Sequence, residues 1–172
     1  FDFACNKFGV FDNCIKSRGT ALLMEMGTGK TIVSIAISGC MYQCGKINRL
    51  LVVAPPSILG IWEEKFAKFA DFPYSLTILK GAVAKKKEQL TKLSKEGLQI
   101  VVVNYESAWR LEKELLIYNP DLVIADEAHK LKENRSKQSQ GMQHIGDKAR
   151  YKLLLTGTVI TNRELDVFSQ YR

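Results

Sequence analysis

The stretch Ala21-Leu22-Leu23-Met24-Glu25-Met26-Gly27-Thr28-Gly29-Lys30-Thr31 decides the fold of this 172-residue chain. An apolar run leads into a glycine-rich turn, and a helical pattern begins at Ile32. A strand, a turn ending in Gly-Lys-Thr and a helix together predict a phosphate-binding loop. Glycines let backbone N–H groups approach phosphate oxygens, and the helix start adds a positive dipole end. The alternative is an ordinary strand-to-helix turn, because the bulky Met24 stands where a small residue is usual.

The loop predicts a nucleotide site made by consecutive residues. These residues are Met26, Gly27, Thr28, Gly29, Lys30 and Thr31. The Lys30 ammonium is expected on the β- and γ-phosphates of ATP, and the Thr31 hydroxyl is expected to ligate Mg²⁺.

The composition favours an anionic partner. The net charge is +7, from 25 Lys and Arg against 18 Asp and Glu, which suits nucleic acid. No apolar run approaches the roughly 20 residues of a membrane span, so no membrane association is expected. The chain begins with Phe1 rather than Met, so we expect a fragment of a longer protein. Cys40 and Cys44 are four residues apart, and buried reduced thiols are the expectation rather than half of a metal site.

Apolar runs alternate with helical patterns along the chain. This order predicts a single α/β domain over residues 1–172, with three layers and a mostly parallel central sheet. The predicted strands are 20–24, 49–54, 75–80, 99–103, 121–126 and 151–156. The predicted helices are 30–44, one capped by Ser57, 82–95 and 107–116, besides a short helix within 1–18 and a helix starting at 164. The polar stretch 134–145 is expected to begin irregularly.

Charged and hydroxyl side chains fall at the predicted strand ends. Parallel sheets bind ligands at the carboxyl ends of their strands, which is where Lys30, Asp126, Glu127 and Thr156 lie or closely follow. Asp126 is therefore a predicted Mg²⁺ ligand together with Thr31. Glu127 is predicted to orient a water toward the γ-phosphate. The alternative interpretation is a pair of solvated acids.

Ordered segments of the chain resemble the DEAH-box form of helicase superfamily two, in the version found in Swi/Snf-type ATPases. The Asp126-Glu127-Ala128-His129 box and the Leu154-Leu155-Thr156-Gly157-Thr158 segment are similar to its second and third motifs. The loop at 25–31, the segment 51–59 with Trp62, and Val103-Asn104-Tyr105-Glu106 resemble further segments of that family.

The resemblance implies an N-terminal RecA-like lobe, a P-loop NTPase domain, from a DNA-dependent ATPase that uses ATP and Mg²⁺ to move on double-stranded DNA. Lys30 and Glu127 would be catalytic, and Asp126 would hold the metal. Coupling of nucleotide state to motion falls to His129, Thr156, Gly157 and Thr158. The implied DNA contacts are Pro55, Ser57, Asn104 and Tyr105. The implied location is the cytoplasm, at the nucleoid, in a prokaryote or phage, and the nucleus in a eukaryote.

Other interpretations stay open at the level of sequence. Val159 stands where the family has proline, and with Met24 it supports a nucleotide-dependent interaction scaffold whose motor has decayed. A P-loop phosphotransferase acting on a small substrate would need only the loop. The run Lys85-Lys86-Lys87 is either a DNA-binding patch or, as we expect, a solvated helix face. Trp62 is expected in the core rather than stacked on a base.

The resemblance also implies a second RecA-like lobe that carries an arginine finger, and an adenine-contacting glutamine before Phe1. Such a finger contributes about 10³–10⁵ in turnover. We therefore predict that residues 1–172 alone bind nucleotide weakly and hydrolyse ATP very slowly or not at all. Turnover measured with and without double-stranded DNA checks this, and robust DNA-stimulated hydrolysis by this chain alone would contradict it.

Overall fold

The computed structural model describes residues 19–25, 27–128 and 137–157. Met26, His129 and Thr158 lie outside the described residues, as do the helices predicted within 1–18 and from 164. Among the described helices, none is long and apolar enough to cross a membrane.

A six-stranded sheet with the order β1-β6-β5-β2-β4-β3 forms the centre of the domain. The strands are β1 Gly19–Leu23, β2 Arg49–Ala54, β3 Tyr74–Ile78, β4 Leu98–Asn104, β5 Leu122–Asp126 and β6 Tyr151–Thr156. Every strand pair is parallel in the part of the chain described. The near-continuous apolar runs of β2 and β5 suit this position, since a parallel strand is covered on both faces. The predicted strands are confirmed, with ends shifted by at most two residues.

The helices cover both faces of the sheet. They are α1 Lys30–Gln43, α2 Leu59–Phe69, α3 Val83–Thr91, α4 Tyr105–Arg110, α5 Glu112–Tyr118 and α6 Lys137–Lys148. A short 3₁₀ helix, Pro56–Ile58, precedes α2. Side chains of the central strands alternate between two cores, so that Val52 faces one core and Val53 the other. The predicted three-layer RecA-like architecture is confirmed.

Some of the predicted helix features are wrong. Ser57 lies inside the 3₁₀ helix and does not cap α2, because the turn after Pro55 places Ile58 at the position before that helix. The single helix predicted over 107–116 is two short helices that meet at Leu111. The beginning of the stretch 134–145, predicted to be irregular, lies outside the described residues up to 136. From Lys137 the chain is helical, and the buried residues of α6 are apolar or small.

Gly97 sits in a left-handed turn where no side chain fits. Its φ is +65°, and a Cβ built there would lie 2.2 Å from the carbonyl oxygen of Pro73. Leu98, the next residue, donates its N–H to that same oxygen at 2.9 Å, which fixes the approach. Gly45 has the same φ of +65°, but open space surrounds its Cβ position.

These two glycines separate backbone strain from steric clash. We expect Gly45→Ala to lower the free energy of unfolding by about 1–2 kcal/mol, from left-handed strain alone. Gly97→Ala should cost clearly more, about 3 kcal/mol or above, because backbone atoms must also move. Denaturant unfolding of both variants measures the difference, and equal losses would contradict the packing described for Gly97.

Helices α4 and α6 are joined through Glu106. Its carboxylate accepts hydrogen bonds from the Trp109 indole at 3.1 Å, from Arg110 at 2.8 Å and from Gln138 of α6 at 2.7 Å. The helices are close enough that a Cβ at Gly141 would lie 2.8 Å from the Cβ of Trp109. These bonds, with that to Trp109 first, lower the pKa of Glu106 from 4.5 to about 2.

The lowered pKa makes this junction dependent on pH. A carboxyl group whose pKa is depressed on folding stabilises the fold above its unfolded value and loses that contribution as the pH falls. Glu106→Gln should therefore destabilise the protein most above pH 4.5, and the difference should fade toward pH 2. Unfolding measured across this pH range tests it. The control is Glu88→Gln, which removes one exposed pair with Lys92, and a deficit in Glu106→Gln that does not vary with pH would contradict the account.

Candidate nucleotide-binding site

The glycine-rich loop begins beside the end of β6. Met24 donates its N–H to the carbonyl oxygen of Thr156 at 3.3 Å. Gly27 and Gly29 then take φ values of +83° and +93°, which non-glycine residues rarely adopt. A Cβ at either glycine would meet nothing within 4 Å, so this backbone faces open space. The loop thus fits a phosphate cradle, because a ligand can approach the main chain at both positions.

Lys30 is the first residue of α1 and its side chain is buried. Its ammonium donates to the carbonyl oxygens of Met24 at 3.0 Å and Glu25 at 3.1 Å. The Thr28 hydroxyl donates to the same Glu25 oxygen at 2.6 Å. These bonds curl the loop around the lysine and hold its charge on the loop rather than in solvent. Thr31 follows at the second helical position and is half-buried.

Asp126 ends β5 with a buried carboxylate. One carboxylate oxygen accepts the indole N–H of Trp62 at 3.0 Å, and the other accepts the backbone N–H of Glu127 at 2.9 Å. Burial raises the pKa of Asp126 and the neighbouring Glu127 charge adds to the rise, whereas the Trp62 bond and the Lys30 charge lower it. Burial and the neighbouring acid disfavour the charged form of this carboxylate, and a bound cation would offset that cost. Carboxylate oxygens are also the ligands that hard cations prefer.

Glu127 has a left-handed backbone, with φ of +52°. For a residue with a side chain this conformation costs about 1–3 kcal/mol, and it persists only where surrounding contacts fix it. One such contact is the Tyr105 hydroxyl, which donates to the backbone carbonyl of Asp126 at 2.7 Å. The chain therefore turns sharply at the end of β5, where Asp126 and Glu127 lie.

The sheet register brings the loop and the acids to one edge. Leu23 pairs with Thr156, and Leu155 pairs with Asp126, so β1, β6 and β5 end side by side. Neighbouring strands are about 4.8 Å apart, which places the ends of β1 and β5 roughly 10 Å from each other. Lys30 and Asp126 also interact electrostatically. Gly157, predicted to couple nucleotide state to motion, follows Thr156 at this same edge.

The four residues predicted to contact DNA divide into different environments. Ser57 is exposed, whereas Pro55 is buried. Asn104 caps α4, since its side-chain oxygen accepts the N–H of Ser107 at 2.8 Å. The prediction for Tyr105 needs correction, because its ring is only 5% exposed and its hydroxyl points at Asp126. That side chain supports the acidic pair instead of facing a partner.

The basic run on α3 has a role that neither sequence interpretation included. Lys86 donates to the Ser107 hydroxyl at 2.5 Å, and Lys87 pairs with Glu114 at 2.6 Å. The Lys87 bond lowers the pKa of Glu114. These two lysines therefore attach α3 to α4 and α5, so the run is not simply a solvated helix face.

The remaining sequence expectations have mixed outcomes. Trp62 lies in the core as predicted, being 1% exposed. Its bond to Asp126 was missed, since only the adjacency of β2 and β5 places α2 beside that acid. Cys40 is half-buried and Cys44 is exposed, so the expectation of buried thiols is wrong for Cys44. Within the described residues, no group of three or more His, Cys, Asp or Glu side chains is arranged to hold a metal.

Comparison with known proteins identifies the family. The family model of the SNF2-related domain matches residues 8–170. Switch 2 of Arabidopsis thaliana is 30% identical over 168 residues, covering 90% of this chain and 19% of that protein. The DNA repair and recombination protein RAD54-like of Drosophila ananassae is 30% identical over 182 residues, covering 98% of this chain and 22% of that protein.

A solved structure shows the same fold. The Sulfolobus solfataricus SWI2/SNF2 ATPase core in complex with dsDNA superposes with a TM-score of 0.73 at 25% identity, covering 94% of this chain and 33% of that one. The chain thus spans about a fifth of the length of the two relatives named above. With its loop and acidic pair at one sheet edge, and with nearly its whole length matched, the chain belongs to the SNF2-related domain family.

Proposed function

We propose that this chain is the N-terminal, ATP-binding lobe of a DNA-dependent ATPase that moves on double-stranded DNA. The observation that carries the proposal is the shared sheet edge of the Lys30 loop and the Asp126–Glu127 pair. The glycine-rich loop, the Lys30 ammonium and two acids converge there, an arrangement suited to phosphoryl transfer assisted by a cation. Family membership adds weight, since the relatives include DNA repair and helicase proteins by name.

Each residue of the site has a chemical role in this proposal. Bound Mg²⁺-ATP would supply the γ-phosphoryl group and a cation that neutralises its charge. The backbone N–H groups around Gly27 and Gly29 hold phosphate oxygens, and Lys30 leaves the loop carbonyls to bind them as well. Thr31 and Asp126 offer the oxygen ligands that Mg²⁺ prefers. Glu127 orients water and accepts its proton.

Double-stranded DNA is the proposed partner at this edge. The Sulfolobus ATPase core that shares the fold is in complex with dsDNA, and the net charge of +7 on this chain favours the same polyanion. We propose that the exposed turn at Ser57, which precedes α2, contacts the DNA. A second RecA-like lobe would complete the motor, with His129, Thr156, Gly157 and Thr158 transmitting nucleotide state to it. The proposed location is wherever the cell keeps that DNA, at the nucleoid or in the nucleus.

Two variants of the full-length protein separate binding from chemistry. Lys30→Ala removes a charge-assisted contact worth about 1.5–3 kcal/mol, so nucleotide affinity should fall roughly ten- to hundredfold. Glu127→Gln should keep nucleotide affinity and lose about 10²-fold or more in turnover. Nucleotide binding by calorimetry and DNA-stimulated ATP turnover measure the two effects. Lys92→Ala, which alters an exposed lysine paired only with Glu88 in the described structure, is the matched control.

The same assays exclude the competing functions. A decayed motor acting as a nucleotide-dependent scaffold would bind ATP in a Lys30-dependent way but show no turnover in the unmodified protein with DNA. A small-molecule phosphotransferase would turn over without any response to DNA. DNA-stimulated turnover that Lys30→Ala and Glu127→Gln both abolish supports the proposed function, whereas wild-type turnover in Glu127→Gln would contradict it.

A further inference from the structure

Two buried aromatic side chains contact the acid at the end of β5. Trp62 is 1% exposed and donates its indole N–H to the Asp126 carboxylate at 3.0 Å. Tyr105 is 5% exposed and donates its hydroxyl to the Asp126 backbone carbonyl at 2.7 Å. They come from different elements, α2 and α4, and they hold different atoms of the same residue.

Each aromatic residue is connected to a different turn at the sheet edge. Trp62 lies in α2, just after the turn Pro55–Ser57 that ends β2. Tyr105 directly follows Asn104, the last residue of β4, which caps α4. β2 lies between β5 and β4 in the sheet, so the Tyr105 ring reaches past β2 to contact Asp126. Each turn is therefore one buried side chain away from the acidic pair.

The Trp62 bond suits a carboxylate that must hold a cation. An indole N–H is a donor only, so it fixes the carboxylate without competing for the metal. With the Glu127 N–H on the other oxygen, each oxygen has one donor and keeps lone-pair capacity for a further ligand. Without the indole N–H, one buried oxygen of Asp126 would lose its hydrogen-bond donor, and the carboxylate group would be freer to rotate.

The Tyr105 bond acts on the backbone instead. It holds the carbonyl of the peptide that joins Asp126 to Glu127, immediately before the residue with φ of +52°. A strained conformation of this kind depends on surrounding contacts. Without the hydroxyl, the Asp126–Glu127 peptide can rotate more freely. The position and direction of the Glu127 side chain then become less well defined.

Building on the proposed ATPase function, we propose that Trp62 and Tyr105 are positioning residues that tie the acidic pair to the two strand-end turns. Trp62 sets the carboxylate of Asp126 for the metal, and Tyr105 sets the backbone that presents Glu127. A partner that presses on the turn at Pro55–Ser57 or at Asn104 then acts on the acids through one buried hydrogen bond each. This gives DNA contact a short route to the chemistry of the site.

Conservative variants of the full-length protein test the proposal. Trp62→Phe and Tyr105→Phe keep a ring and remove one donor each. We expect Trp62→Phe to raise the Mg²⁺ concentration needed to bind a non-hydrolysable ATP analogue about five- to tenfold. Tyr105→Phe should leave that concentration within about twofold and should lower DNA-stimulated turnover about fivefold or more. In both variants the ratio of DNA-stimulated to basal turnover should fall.

Two matched control variants remove the same types of hydrogen-bond donor at positions away from Asp126. Trp109→Phe removes an indole N–H that bonds Glu106, and Tyr118→Phe removes a buried hydroxyl that bonds the carbonyls of Leu50 and Gln99 at the opposite end of the sheet. These variants change thermal stability but should change neither the Mg²⁺ requirement nor the DNA-stimulation ratio. If the test variants match their controls in both readouts, the proposal is overturned while the ATPase function stands. If the unmodified protein binds no ATP analogue, the ATPase function fails and this proposal fails with it.

A spectroscopic measurement follows Trp62 in the unmodified sequence and needs variants only to assign the resonances. In full-length protein labelled with fluorotryptophan, the ¹⁹F resonances of Trp62 and Trp109 are assigned by their absence in the two Phe variants or, if Trp62→Phe does not fold, in Trp62→Tyr. Adding Mg²⁺ with the ATP analogue should shift the Trp62 resonance and leave that of Trp109 in place. An unshifted Trp62 resonance at saturating analogue would overturn the proposal.

Discussion

A carboxylate buried at the end of a parallel strand is the constraint on which this structure depends. Burial raises the pKa of Asp126, so the fold keeps an acid where its charge is disfavoured. Two N–H donors, from Trp62 and Glu127, satisfy its oxygens, and the Lys30 ammonium acts on it from the loop. Each of these groups is delivered by a different part of the chain. The strand order, the glycine-rich loop and the helix after β2 are thereby all connected to one side chain.

The sheet order explains how these parts meet. β6 is inserted between β1 and β5, so the loop after β1 and the acids after β5 lie on either side of Thr156. On the other side of β5, β2 sends out α2, whose Trp62 reaches back to Asp126. A ligand at this edge would contact segments that are distant in sequence. A change in the bound nucleotide can therefore alter the positions of several strand ends and helices at once.

The sequence predicted much of this and missed what depends on neighbours in space. Apolar runs fixed the strands, because parallel strands buried on both faces leave a local signal. Gly27, Gly29 and Lys30 marked the loop for the same local reason. The bonds from Trp62 and Tyr105 to Asp126 have no local signal, since they depend on which strands are adjacent. The attachment of Lys86 and Lys87 to α4 and α5 was missed for the same reason.

The central claim is that the Lys30 loop and Asp126 meet around one magnesium–triphosphate. A crystal structure of the protein with Mg²⁺ and a non-hydrolysable ATP analogue tests this directly. We predict that the Lys30 ammonium leaves the carbonyls of Met24 and Glu25 for the phosphates. We also predict a metal bound to the Thr31 hydroxyl, at about 2.1 Å, and to Asp126 directly or through one water. A triphosphate bound away from this edge, or a metal that touches neither Thr31 nor Asp126, would contradict the account.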